Sequence, residues 1–232
     1  MSVVPLLDKS GPVGVLVCFF GRTREFDMDF VSLQEGLARL AAQMLMRSRL
    51  QAELAHLALH DQLTGLGNRK LLQEQVADAI VAAAETQTGL ALVFLDLDGF
   101  KQINDQLGHA AGDAALRQVA DRLRAGARQS DDVGRFGGDE FVAICTDADE
   151  RTADAIAQRI LDAVRQPLTG IFDSLRVTAN IGIALFTPGL SGLNLAPVLS
   201  SQPTSDELLS LADDAMYLAK STGKDRVSFR RW

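Results

Sequence analysis

The chain has 232 residues, 47% hydrophobic and 23% charged, enough for one full domain and part of a second, which excludes a miniprotein and a disordered tail. Its 30 acidic residues outnumber 23 basic ones, giving a net charge of -7 that argues against a polymeric nucleic acid as partner. Cys18 and Cys145 each lie inside an apolar run, so neither a disulfide framework nor a zinc cluster is expected, and a reducing, cytoplasmic setting fits best. Val13 to Phe20, the most apolar stretch near the start, is far shorter than the ~20 residues a spanning helix needs, and no basic head precedes it. No membrane insertion is expected.

In chain order, Val3 to Leu7 and Val13 to Phe20 read as two β runs joined by the turn-rich segment from Asp8 to Pro12. A helical pattern follows from about Phe30 to His60, with Asp29 as the expected N-cap and a length of roughly 45 Å. Leu33, Leu37, Leu40 and Met44 recur four, three and four apart, like a two-helix seam, but the next seam positions are Arg47 and Gln51 while leucine returns at 50, 54 and 57. A single amphipathic helix and a dimer-forming connector both satisfy that pattern.

From Asp61 helical and strand patterns alternate. The expected elements are helix Lys70 to Glu85, strand Leu90 to Leu95, a helical stretch from Phe100 to about Ala127, and two strands around Gly137-Gly138. Helix Asp149 to Arg165, strand Leu175 to Phe186, helix Asp206 to Ser221 and a strand near Val227 to Phe229 complete the series. The inner order, strand-helix-helix-strand-strand-helix-strand, predicts an α+β domain: a palm-like mixed sheet with a ferredoxin-like core and additions, flanked by helices. Residues 187 to 205, rich in Pro, Gly, Ser and Leu without a period, read as a long surface loop. The expected division is a hairpin over 1–29, a connecting helix over 30–60 and the α+β domain over 61–232.

Two places carry chemistry. The apolar run Leu90 to Leu95 delivers Asp96 to the C-terminal edge of its strand, where ligands of α/β folds bind. In Arg135-Phe136-Gly137-Gly138-Asp139-Glu140-Phe141, two glycines permit a tight turn and two acids stand at its exit, one of them able to face Asp96 across the sheet. Converging carboxylates raise one another's pKa, and a hard divalent cation such as magnesium offsets that cost. On its own, an Asp-Glu pair in a turn is ordinarily solvated surface, and scattered lysines are ordinarily solvated helix faces.

The segment Gly137-Gly138-Asp139-Glu140-Phe141 resembles the signature of the GGDEF family, the diguanylate cyclases. Asp61 to Arg69 resembles that family's opening motif, and Phe94 to Asp105 its metal and substrate strand. Gly108-His109 and Gly112-Asp113 follow in register, and Ala212 to Lys220 with Gly223-Lys224 is similar to its closing helix. The resemblance covers about residues 58 to 230. It implies condensation of two GTP molecules into cyclic di-GMP with release of pyrophosphate, in a homodimer whose facing domains each hold one GTP.

By position, the resemblance implies that Asp96, Asp139, Glu140 and the Leu97 carbonyl hold Mg2+ or Mn2+, with Asp139 and Glu140 as the catalytic acids. Asn104 and Asp113 match the guanine-reading pair, since a carboxylate accepts from the N1-H and amine of guanine. Lys101, Lys220 and Lys224 match phosphate contacts, joined by Phe100, Gly137, Gly138 and the backbone N-H groups after Asp98. Arg128-Gln129-Ser130-Asp131 resembles the inhibitory RxxD motif, with Arg159 as the second arginine, which implies cyclic di-GMP as an allosteric inhibitor. His109, His56 and His60 carry no ligand assignment, and Met216 and Tyr217 are expected on the apolar face of the last helix.

The first sixty residues resemble the last strands and last helix of a GAF sensory domain. They are therefore expected to be the remnant of one, without its ligand pocket, and to leave an unpaired strand edge. The competing reading from another class is a noncatalytic module that binds GTP or cyclic di-GMP and signals through the dimer or the long helix.

Overall fold

A computed structural model describes residues 1–9, 11–22, 25–170, 175–189 and 202–232. The chain divides into two compact units, Met1–Ala58 and Leu59–Trp232. In the first, β1 (Ser2–Asp8) and β2 (Gly11–Cys18) form an antiparallel hairpin, followed by α1 (Met28–Leu59). Leu6 packs on Ala38 and Ala42, whose small side chains let the hairpin lie close to the helix. The cap of α1 is Asp27, whose Oδ1 accepts from the Phe30 N-H at 2.8 Å; Asp29, the expected cap, lies inside the first turn.

The second unit contains α2 (Arg69–Thr86), β3 (Leu90–Asp98), α3 (Phe100–Leu107), α4 (His109–Gly126), β4 (Asp132–Gly137) and β5 (Glu140–Thr146). It continues with α5 (Glu150–Val164), β6 (Thr178–Phe186), α6 (Ser205–Ser221) and β7 (Arg226–Arg231). The strands form one mixed five-stranded sheet in the order β4-β5-β3-β6-β7, with only the β6/β7 pair parallel. From β3 to β6 the chain runs strand, helices, two strands, helix, strand, which is the ferredoxin-like core; α2, α6 and β7 are the additions.

The sheet is buried on both faces, which is why β3 reads as a continuous apolar run. Alternate side chains serve opposite layers. Ala91, Val93, Leu95 and Leu97 pack with residues of α4 and α5 such as Val119 and Ile156. Leu90, Leu92 and Phe94 pack with residues of α2 and α6 such as Val76 and Leu208. Gly182 on β6 is required by this packing, because a Cβ there would stand 2.1 Å from the backbone of Ala212 and Met216 in α6.

The stretch from Phe100 to Ala127 holds the two consecutive helices of the expected order, which part at Gly108, where φ is 82 and ψ 166. Three local expectations are corrected. Strand β3 runs on to Asp98, past the predicted end at Leu95, and β6 starts at Thr178, later than Leu175. Tyr217 is 70% exposed rather than facing the core. The expected loop over 187–205 falls mostly on residues 190–201, outside the described residues, and the turn after Asp8 includes Ser10, which is also outside them. No helix among the described residues is long and apolar enough to cross a membrane.

Candidate active site

The site begins where β3 leaves the core. Asp96 is buried, 7% exposed, and stands directly opposite Glu140 in the antiparallel register of β3 with β5. The Leu97 N-H donates to the Asp139 carbonyl at 3.3 Å, which ties the β4/β5 turn to the end of β3. That turn is centred on Gly138-Asp139, since Gly137 pairs with Glu140, and Gly138 adopts φ 51. Glycine is favoured there because other residues are strained in that region. Arg135 braces the turn, with Nε and Nη2 donating to the Gly138 carbonyl at 2.9 and 2.7 Å.

Burial pushes the carboxyls of Asp139 and Glu140 up from their ordinary values, and their neighbours reinforce it: Asp96 beside Asp139, and Asp213, Asp96 and Asp139 around Glu140. Asp213 is raised in the same way, by burial and then by Asp214 and Asp96. The mutual repulsion makes oxygen-rich ligation of a hard cation chemically favourable here. Among the described residues, however, no three acidic, histidine or cysteine side chains are already gathered around one point. Instead Lys220 Nζ donates to Asp96 Oδ2 at 2.8 Å, and this bond holds the ammonium pKa above its usual value. Lys224 Nζ likewise donates to Asp98 Oδ1 at 2.8 Å.

Lys101 is exposed on the first turn of α3, and Phe100 packs against the core beside Gly99, whose φ of 85 turns the chain from strand to helix. Asn104 on α3 and Asp113 on α4 flank the same break. Gly112 leaves room for the Asn104 side chain: a Cβ there would fall 2.0 Å from Asn104 Oδ1. The residues assigned to metal, phosphate and guanine thus come from β3, α3, α4, the β4/β5 turn and the end of α6.

Arg128 and Asp131 form a tight turn before β4, the Arg128 N-H donating to Asp131 Oδ2 at 2.8 Å. They line an open cleft of about 370 Å³ with Arg124 and Gln129. The other Asp131 oxygen, Oδ1, is buried without a hydrogen bond among the described residues. Arg159 donates to the Gly126 carbonyl. The buried Cys145 thiol is pushed up to about 12, first by burial and then by Asp131, while Arg128 and Arg159 act in the opposite direction, so these three charges share one neighbourhood.

Asn180 was not among the residues singled out by sequence. It is fully buried on β6, and its Nδ2 donates to Asp98 Oδ2 at 2.7 Å and approaches Asp96 Oδ2 at 3.5 Å. Its signal was present, as an amide interrupting the apolar run Ala179 to Phe186. Asp213 and Arg135 lie within the motifs, which assign them no role.

A family model described as "Diguanylate cyclase, GGDEF domain" matches residues 58–226. The bifunctional diguanylate cyclase/cyclic di-GMP phosphodiesterase MucR of Pseudomonas aeruginosa is 38% identical over 192 residues, covering 83% of this chain and 26% of MucR. The diguanylate cyclase TpbB of the same species is 40% identical over 178 residues, covering 75% of this chain and 38% of TpbB. The chain therefore spans well under half the length of these relatives. The structure of the coiled coil and GGDEF domain of DgcB from Caulobacter crescentus, in complex with c-di-GMP, superposes with a TM-score of 0.74 at 27% identity, over 86% of this chain and all of that one. With its five-stranded sheet, its acidic turn and these matches, the chain belongs to the GGDEF family of diguanylate cyclase domains.

Proposed function

We propose that this chain is an active, metal-dependent diguanylate cyclase that condenses two GTP molecules into cyclic di-GMP and pyrophosphate. The observation that carries the reading is the pairing of Asp96 with Glu140 across β3 and β5, beside the Asp139 turn and within reach of Lys220. Asp96, Asp139, Glu140 and the Leu97 carbonyl would hold Mg2+ or Mn2+. Bound there, the cation supplies charge neutralisation at the α-phosphate and acidifies the attacking hydroxyl.

The chain's own residues do the rest. Asn104 and Asp113 orient guanine, the carboxylate accepting from N1-H and the exocyclic amine. Lys220 and Lys224 exchange their present carboxylate partners for phosphate oxygens when a triphosphate arrives, and Lys101 adds a third cation at the mouth of the site. The 3′-oxygen of one GTP forms a bond to the α-phosphorus of the other as the bond to pyrophosphate breaks, and the hydroxyl proton leaves toward Asp139 and Glu140.

Two GTP molecules must face each other, so the working unit is a homodimer. The exposed Leu33, Leu37, Leu40, Met44 and Leu54 on α1 support this, as apolar side chains in want of a partner surface. Arg128, Asp131 and Arg159 form the site through which cyclic di-GMP inhibits its own synthesis. Residues 1–29 are read as a GAF-like hairpin and 30–60 as the signalling helix.

The test is to incubate the purified chain with GTP and magnesium at a series of protein concentrations and to resolve the nucleotides by chromatography. Cyclic di-GMP formed with more than first-order dependence on protein is expected. Asp139→Ala should abolish it while leaving the circular dichroism spectrum unchanged. Binding of GTP or cyclic di-GMP without turnover would replace this reading with that of a noncatalytic module.

A further inference from the structure

The bend that carries Lys224 is held from behind. Between α6 and β7 the chain passes through Lys224 at φ 61 and Asp225 at φ 49, two consecutive non-glycine residues in the left-handed region. Such a conformation persists only where the surroundings over-determine it. Two side chains from other elements do so. Asn180, fully buried on β6, accepts from the Asp225 N-H at 3.1 Å through Oδ1 while its Nδ2 holds Asp98. Arg165, the C-cap residue of α5, donates from Nε to both Asp225 carboxylate oxygens at 3.0 and 3.1 Å, and from Nη2 to the Asp225 carbonyl at 3.1 Å.

These bonds form one chain of contacts: Arg165 to Asp225, Asp225 to Asn180, Asn180 to Asp98, and Lys224 back to Asp98. The guanidinium grips both the side chain and the backbone of Asp225, a fork that lysine could not reproduce. Arg165 itself lies outside every motif of the sequence, 60 residues from Asp225 along the chain.

We propose that Arg165 is a positioning residue for the phosphate end of the site: by clamping Asp225 in its left-handed conformation, with Asn180, it fixes the bend that aims Lys224. The inference rests on the reading of Lys224 as a phosphate contact. A purely structural Arg165, joining α5 to β7 and pairing with Asp162 at 2.9 Å, would change melting temperature but not nucleotide affinity.

The experiment uses the whole chain with Arg165→Ala, Lys224→Ala and both together. It measures magnesium-dependent binding of a non-hydrolysable GTP analogue by calorimetry, kcat and KM for GTP, and hydrogen exchange of residues 222–226. Arg165→Ala is expected to weaken analogue binding and raise KM about threefold to tenfold with kcat within about twofold, and to speed exchange of the bend. Added to Lys224→Ala, it should cost nothing further, because both act on one contact. Unchanged analogue affinity in Arg165→Ala beside weakened binding in Lys224→Ala overturns the proposal alone, as does full additivity of the two. Normal analogue binding in Lys224→Ala, or none in the unaltered chain, removes the phosphate reading of Lys224 and the proposal with it.

Discussion

Asp61 and Arg135, 74 residues apart in the chain, meet through hydrogen bonds of 3.2 and 3.1 Å to the two carboxylate oxygens. The same guanidinium holds the Gly138 carbonyl, so the segment before α2 is tied to the turn that carries Asp139. Asp61 also accepts from the Thr64 N-H and hydroxyl at 2.9 and 2.7 Å, which closes the turn ahead of Gly65. One carboxylate thus organises its own loop and braces the acidic turn.

Asp61→Asn should lower stability by about 2 kcal/mol at neutral pH in urea unfolding, since it leaves a largely buried guanidinium without its charge partner. Burial alone would raise the Asp61 carboxyl, but the Thr64 hydrogen bonds and Arg135 outweigh it and hold its pKa below the ordinary value. A depressed folded pKa gives stability that is fully present above the unfolded pKa of about 3.9 and is lost as pH falls through the folded one. The unaltered chain should therefore lose more stability on acidification below about pH 4 than Asp61→Asn does. Parallel acid limbs for the two would contradict the assignment.

Gly112→Ala places a methyl 2.0 Å from Asn104 Oδ1, and the amide must swing away. The fold should survive, because a side chain rather than backbone gives way. KM for GTP is expected to rise about tenfold or more while the far-ultraviolet spectrum stays unchanged, and a normal KM would separate Asn104 from guanine recognition.

Gly182→Ala meets the backbone of α6, the Ala212 carbonyl and the Met216 nitrogen each at 2.1 Å. Neither can move without displacing α6 from the sheet. A loss of about 3 kcal/mol or more is expected by denaturant titration, and a loss below about 1 kcal/mol would show that α6 does not lie as close to β6 as described.

Arg128→Ala removes an exposed side chain, while the backbone N-H of residue 128 keeps its 2.8 Å bond to Asp131. Added cyclic di-GMP should slow turnover of the unaltered chain and leave the variant running, with equal initial rates for the two. Equal inhibition of both would dismiss the product site at Arg128, Asp131 and Arg159.

Much of the molecule was legible in the amino-acid order. The apolar run of β3, the alternation of helical and strand patterns and the five motifs from Asp61 to Lys224 are local features, and they sufficed for the fold class, while the candidate residues are those that the motifs' resemblance to the family implies. The order of two helices after β3 was legible too, and the structure places their break at Gly108, with its positive φ. The tertiary structure decided what distant segments do to one another. Glu140 rather than Asp139 faces Asp96, because strand register depends on which residues flank the turn. Lys220 and Lys224 rest on carboxylates, Asn180 sits beneath Asp98, and Arg165 reaches Asp225. Such contacts form only when the sheet order brings β6 beside β3 and β7, and no periodicity along the chain encodes which side chain will meet which across that packing.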